Sequence, residues 1–400
     1  MKTEILDKKP GLQNEASPYP RHKQLIMKGN YAAAEAAKLC RVSFVPAYPI
    51  TPQTTIVERL SEMVSSGEMD AIYTNMDSEH SAFAAALGAS LGGERVFTAT
   101  AGQGLFYAHE VLHAIAHFRL PMVIANVGRP SIPWNIWSDQ SDSLAQRDTG
   151  WVQYYGESSQ EVLDTMIQSY ILAEQLNLPV MVVLDAFYQS HTSENVWVPD
   201  IDLVDEFLPP KVPGPMSIDL KNPKAFGGLV PPEHYNKLNY TYWRDAIQVE
   251  EKSEEIAVEF AKKFGREYHN VEAVNIGPKT KLVLITVSSI TSTARGVIKK
   301  YPEVGLLKIR LFKPFPKKDV QKALKGLPKD VILAPVERNF MGDREGAIFQ
   351  EMQRATYGMP FKMYDFYAGA GGKDVPPATI EKIIHIAQNK PKEVNWVDIA

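Results

Sequence analysis

From about residue 29 onward the chain alternates short apolar runs with amphipathic or small-residue stretches. "NYAAAEAAKLC" reads as an alanine-rich helix, "FVPAYPI" as a strand ending in a turn, and "PQTTIVERLSEMVSSG" as an amphipathic helix. "AIYTNMDS" is strand-like. "EHSAFAAALGASLGG" is a helix of residues so small that something must pack closely against it. "RVFTATAG", "LPMVIANVG" and "LPVMVVLD" are apolar, β-branched runs separated by helical stretches. This alternation predicts an α/β domain with a buried parallel sheet over residues 29–206, preceded by an N-terminal arm, 1–28. Residues 207–232 are rich in Pro and Gly without a sustained period, and the charged helix "WRDAIQVEEKSEEIAVEFAKKFG" follows. Segment 207–270 therefore reads as an extended arm and helix. A second α/β unit over 271–400 has strands "KLVLITV", "GLLKIRL" and "VILAPVE", with helices "TSTARGVIKK" and "KKDVQKALKG" between them. No internal repeat or low-complexity tract interrupts this order.

Composition narrows the function classes. A chain of 400 residues predicts two or three domains. With 43 basic and 47 acidic residues the net charge is -4, which argues against a nucleic-acid or membrane-surface binder. The longest apolar runs are strand-length, far short of a membrane span, and the N-terminus has no apolar signal region, so a cytoplasmic protein is expected. The single cysteine, Cys40, allows no disulfide framework, and this chain alone cannot ligate an iron–sulfur cluster through cysteines.

Several stretches suggest chemistry. "HEVLHAIAH" contains H-E-x-x-H, and His109, His113 and His117 would share one helix face, as in a zinc peptidase. Its setting, between "TATAGQG" and the strand "FRLPMVIAN", is instead that of a crossover helix beside a dry core, with its histidines at a surface or subunit contact. "TAGQGL" follows a strand and opens a helix where backbone amides could meet a ligand, but it lacks dinucleotide-binding spacing. "AGAGGKDV" lacks phosphate-loop spacing and has Asp374 after the lysine, so it reads as a surface turn, as does "MGDRE". "AYPITPQ" flanks Thr51 with prolines at a strand's carboxyl end, where ligands of α/β sheets bind. Glu79 opens the small-residue helix, and read alone it is a first-turn carboxylate matched to the helix dipole. Arg129 follows "PMVIANVG" and is either a surface cation or a clamp for a carboxylate.

Together, "YPITP", "SEHSAFAAALGAS", "RVFTATAGQGL", "HEVLHAIAHFRLPMVIAN", "NIWSDQSDS", "RDTGW", "DEFLPP", "KIRLFKPFP" and "GDREGAIFQEM" resemble the alpha subunit of 2-oxoacid:ferredoxin oxidoreductases of the pyruvate synthase type. The resemblance runs in consistent order from about residue 30 to residue 387. It implies a parallel-sheet domain that holds the pyrimidine of thiamine diphosphate, followed by a domain like the C-terminal domain of transketolases. It also implies a coenzyme shared with a beta subunit, with Mg²⁺ and [4Fe-4S] clusters in partner subunits of beta, gamma and delta type. Coenzyme A is the implied co-substrate, and ferredoxin or another acceptor takes the electrons. On the same ground Glu79 matches the family's glutamate at the pyrimidine nitrogen, where a carboxylic acid favours the imino tautomer that removes a proton from the thiazolium carbon. Burial between subunits would raise its pKa and help it share that proton. Thr51 and Arg129 match the positions for the keto oxygen and the carboxylate of the substrate. Tyr48, Pro49 and Ile50 match the coenzyme-binding loop. No metal ligand is assigned to this chain.

The chain departs from the family pattern after the third strand, where Ala101 and Gly102 replace small polar residues and Phe106 and Tyr107 are bulky. "GRPSIPWN" is a further departure. These changes suggest a pocket reshaped for a larger or aromatic 2-oxo acid such as phenylglyoxylate, with pyruvate remaining open and Thr51 arguing against oxalate. A zinc peptidase and a catalytically inert structural subunit are the competing readings. Substrate, terminal acceptor, stoichiometry and the role of the C-terminal domain are left open by the sequence.

Overall fold

The computed structural model describes residues 18–340, 342 and 344–399. The expected α/β organisation is present. Strands Phe97–Thr100, Val123–Gly128, Val180–Asp185 and Val152–Tyr155 form parallel neighbours in one sheet. Every residue of these strands is buried, as continuous β-branched and apolar runs require when helices cover both faces. A parallel pair, Phe44–Ala47 with Ile72–Asn75, extends this layer through a bridge between Phe44 and Val96. The Thr98 hydroxyl reinforces the join by donating to the Pro46 carbonyl at 2.7 Å.

Helices Gly29–Leu39 and Ser159–Leu176 pack together on one face of the sheet. The small-residue helix Glu79–Leu91 packs against strand Phe44–Ala47 and against helix His109–His117. His109–His117 is the crossover between two parallel neighbours, strands Phe97–Thr100 and Val123–Gly128, as its sequence context indicated.

The second sheet runs Val394–Trp396, Asp365–Tyr367, Ile332–Glu337, Leu282–Thr286, Val304–Ile309 and Val271–Val274, with the last strand antiparallel. "GLLKIRL" is not one strand here. Val304–Ile309 belongs to the second sheet, the chain breaks at Arg310, and Leu311–Lys313 adds antiparallel to Val152–Tyr155 at the edge of the first sheet. The turn is anchored by Arg310, whose backbone N–H donates to the Asn270 carbonyl at 2.9 Å and whose carbonyl accepts from Tyr155 at 2.9 Å.

Near the N-terminus, strand His22–Lys28 pairs antiparallel with Ser193–Pro199. The arm runs irregularly to residue 231, and its charged continuation forms helices Pro232–Ala246 and Val249–Phe264. Met341 and Asp343 of the "MGDRE" turn, and residues 1–17, lie outside the described residues.

Candidate functional site

The carboxyl ends of strands Phe44–Ala47, Ile72–Asn75, Phe97–Thr100 and Val123–Gly128 meet at one edge, the location where open α/β sheets bind ligands. Each strand end carries a segment singled out in the sequence. The first leads into residues 48–51. Gln53 holds this loop from within, donating from its backbone to the Ile50 carbonyl at 2.9 Å and from Nε2 to the Tyr48 carbonyl at 2.7 Å. Asn30 Nδ2 donates to the Pro52 carbonyl at 2.8 Å. Asn30 and Gln53 are both fully buried, so these bonds are made away from water and fix the loop strongly. Pro49 and Thr51 are exposed, whereas Tyr48 and Ile50 are half-buried.

Glu79 is the first residue of its helix, capped by Ser78, whose hydroxyl accepts from the Ser81 backbone N–H at 3.1 Å. The side chain is buried, with the residue only 8% exposed, and no hydrogen-bond donor among the described residues meets its carboxylate. The backbone at Gly104 presses against it. A Cβ there would stand 2.6 Å from Glu79 Cγ and Oε1 and from the Thr100 hydroxyl. Gly102 has φ +49, and a Cβ on it would stand 2.2 Å from Arg129 Nε. The "TAGQG" turn thus lies between Glu79 and Arg129, and glycine is required on both sides of it.

Arg129 is 6% exposed, which removes the surface-cation reading. Its Nη1 donates to the Thr51 carbonyl, and its Nη2 donates to Gln103 Oε1 at 2.6 Å. Gln103 Nε2 donates in turn to the Ser131 carbonyl at 2.6 Å. Burial lowers the guanidinium pKa, while the charges of Asp142 and Glu79 oppose that shift. The structure therefore brings Thr51, Glu79, Arg129 and the glycine turn into one site.

Sequence reasoning singled out the turn that holds Gln103 and Gly104 without giving either a role, and it missed Asp142 and Asn126. Asp142 is fully buried and Asn126 Nδ2 donates to it at 3.1 Å. One signal was available: Asn126 is an amide inside an otherwise apolar strand. Phe106 is half-buried, and the exposed Tyr107 ring stands 5.8 Å from the ring of His80, the residue next to Glu79.

The "HEVLHAIAH" histidines do share a face. The rings of His109 and His113 meet edge-on at 4.9 Å, and His117 stacks on Tyr242 at 5.5 Å. His109 Nδ1 bonds Gln146 Oε1 at 2.5 Å, and His117 Nδ1 bonds the His113 carbonyl at 2.9 Å. Among the described residues, no group of three or more His, Cys, Asp or Glu side chains is placed to hold a metal ion. "AGAGGKDV" is more than a surface turn. Gly371 donates to Asp139 Oδ2 at 2.8 Å and accepts from Asn135 Nδ2 at 2.9 Å, and a Cβ on Gly372 would stand 2.1 Å from Trp137 Cβ. It docks the second domain onto the loop that follows Arg129.

A buried carboxylate without a donor, beside a backbone surface only glycine permits, fits a flat heterocycle that offers a protonatable nitrogen. Residues 35–257 match the family of pyruvate flavodoxin/ferredoxin oxidoreductase thiamine-diphosphate-binding domains, and residues 280–380 match pyruvate:ferredoxin oxidoreductase core domain II. The chain belongs to this family of oxidoreductases, as an alpha-type subunit, and the zinc-peptidase reading is set aside.

Among its relatives, the ketoisovalerate oxidoreductase subunit VorA of Pyrococcus horikoshii is 40% identical over 379 residues, covering 92% of this chain and 94% of that protein. The pyruvate synthase subunit PorA of Methanothermobacter thermautotrophicus is 39% identical over 381 residues, covering 94% and 98%. The fold matches that of 2-oxoglutarate:ferredoxin oxidoreductase from Magnetococcus marinus with a TM-score of 0.70 at 19% identity, over 90% of this chain and 65% of that one.

Proposed function

We propose that this chain supplies half of the active site of a coenzyme A-dependent 2-oxoacid oxidoreductase, the overall reaction being 2-oxo acid plus coenzyme A to acyl-coenzyme A, CO₂, a proton and two electrons. The observation that carries this reading is the convergence of Glu79, Thr51 and Arg129 around the Gly102–Gly104 turn. When bound, thiamine diphosphate supplies the nucleophilic carbon and the electron sink for decarboxylation. Glu79, 8% exposed at the start of its helix, would share a proton with the pyrimidine nitrogen. Tyr48, Pro49 and Ile50 border the coenzyme. Arg129 recognises the substrate carboxylate, exchanging contacts now made with Thr51 and Gln103, and the Thr51 hydroxyl faces the keto oxygen.

The Mg²⁺–diphosphate site, the [4Fe-4S] clusters and the acceptor contact belong to beta, gamma and delta partners in a cytoplasmic complex. Ferredoxin or another carrier takes the electrons. Residues 29–206 carry the half-site, 207–270 form an arm, and 271–400 serve assembly. The relatives named for pyruvate and for ketoisovalerate support a 2-oxo acid substrate. Phe106 and Tyr107, the latter beside His80, favour one bulkier than pyruvate, such as phenylglyoxylate.

The test uses the purified complex and a panel of pyruvate, phenylglyoxylate and branched and indole 2-oxo acids, with wild type and Arg129→Lys. The variant loses bidentate carboxylate recognition, so KM for the best substrate should rise roughly tenfold or more while kcat falls less. An unchanged KM removes Arg129 from substrate binding, and a complex inactive on every 2-oxo acid overturns the reading.

A further inference from the structure

Asp142 lies on a short helix, Ser141–Leu144, outside the strand-end loops that hold the candidate site, yet every bond of its Oδ2 reaches toward them. Its Oδ2 accepts from the Gly102 backbone N–H at 2.8 Å, from the Arg129 backbone N–H at 3.2 Å and from Asn126 Nδ2 at 3.1 Å. Its Oδ1 accepts from the Ser143 backbone N–H at 2.6 Å. One fully buried carboxylate therefore fastens two separate turns, the glycine turn after strand Phe97–Thr100 and the Arg129 turn after strand Val123–Gly128. These are the turns that meet where the Gly102 backbone lies against the Arg129 side chain.

We infer that Asp142 is the positioning residue that sets where the Arg129 guanidinium stands relative to the glycine turn. This inference rests on the proposed role of Arg129 in holding the substrate carboxylate. Asp142 is fully buried, and its carboxylate is occupied by protein donors. It acts through the two backbone N–H groups, which the ionised carboxylate oxygen accepts more strongly than a neutral one while also holding the Asn126 amide.

Among the described residues no cation is hydrogen-bonded to the Asp142 carboxylate; its partners there are backbone amides and one side-chain amide. Burial pushes its pKa up to about 6, against the pull of these bonds. On protonation one oxygen becomes a donor, and the junction loses an acceptor at the point where the two turns meet. The neighbouring titratable groups are Arg129 and Glu79 across the glycine turn, Asp139 on the preceding loop, held high by its own burial, and Tyr155, whose hydroxyl bonds Ser143 at 2.9 Å.

The test is Asp142→Asn in the assembled complex, compared with Arg129→Lys and with the double variant. The single Asp142→Asn substitution should raise KM for the 2-oxo acid at least fivefold at pH 7.5, with thiamine diphosphate content retained. It should also flatten the acid limb that wild type shows as pH falls through about 6. In the Arg129→Lys background the same substitution should raise KM less than twofold, because the clamp it positions is already lost.

Multiplicative KM effects in the double variant, or wild-type KM and pH profile in Asp142→Asn, overturn the inference. Loss of activity through kcat and coenzyme content alone also overturns it. If Asp142→Asn yields no complex, Asn126→Ala carries the test, and an unchanged KM there overturns it. If Arg129→Lys itself leaves KM unchanged, the carboxylate-clamp reading fails first, independently of Asp142.

Discussion

At Gly104 the backbone of one turn and the carboxyl side chain of Glu79 occupy adjoining space with no room for a methyl group. The residue sits in helix Gln103–Tyr107, where alanine would by itself favour the helix by about 1 kcal/mol. Gly104→Ala should therefore leave the chain folded while displacing the Glu79 carboxyl. The expected result is a fall of roughly tenfold or more in activity of the assembled complex, with a small change in thermal midpoint. Wild-type activity with the same midpoint would mean that Glu79 need not stand where it does. Glu79, Thr51 and Arg129 were legible as polar residues at strand ends, with roles supplied by the family resemblance. Asp142 was not: "NIWSDQSDS" entered only through the family resemblance, and its small polar side chains give no sign that Ser138, Asp139, Gln140, Ser141, Asp142 and Ser143 are all buried. Hydropathy reports the cost of burying such residues, and only the fold reveals the backbone N–H groups that offset it.

Among the elements, the strands of both sheets were readable because a parallel sheet buried on both faces needs unbroken apolar runs. The switch of chain from one sheet to the other at Arg310 was not, since Lys308, Arg310 and Leu311 continue one strand-like pattern. Buried ionic and hydrogen bonds hold the chain on either side of the switch. Lys308 Nζ bonds Glu161 at 2.7 Å and Glu157 at 2.9 Å, and Arg310 Nη2 bonds Thr165 at 3.0 Å, all on or beside helix Ser159–Leu176. At the end of strand Ile332–Glu337, the fully buried Glu337 accepts from the Phe349 N–H at 2.8 Å and from Asn339 Nδ2 at 2.6 Å. Burial first, and then the nearby Asp365, hold its carboxyl well above the usual carboxylate range. Between the ordinary range and that raised value, the folded chain holds a proton the unfolded chain has released, so stability falls as pH rises. Thermal unfolding should show a midpoint that declines between pH 5.5 and 8.5, with a shallower decline in Glu337→Gln. Equal slopes in the two proteins would contradict this assignment.

Across the whole molecule, the two sheets meet at their carboxyl ends. Asp185, ending a strand of the first sheet, accepts from the Ser289 N–H at 3.1 Å and pairs with Arg338 at 3.2 Å, both from the second domain. Arg338 also lies over the Tyr188 ring at 4.7 Å, and Gly371 bonds the loop that follows Arg129. The second domain thereby braces the edge that carries the candidate site. This long-range joining is invisible to periodicity, which reports each element alone. Among the described residues no helix is long and apolar enough to cross a membrane. The proposal that half an active site resides at this edge depends most on Glu79. The decisive measurement is the rate of 2-oxo-acid-dependent acceptor reduction by the complex assembled with Glu79→Ala, with subunit and coenzyme content determined in parallel. The expected result is a loss of roughly 100-fold or more in an intact complex, within the range for removing a positioned acid–base group. Retention of more than about a tenth of wild-type activity would contradict the role given to Glu79.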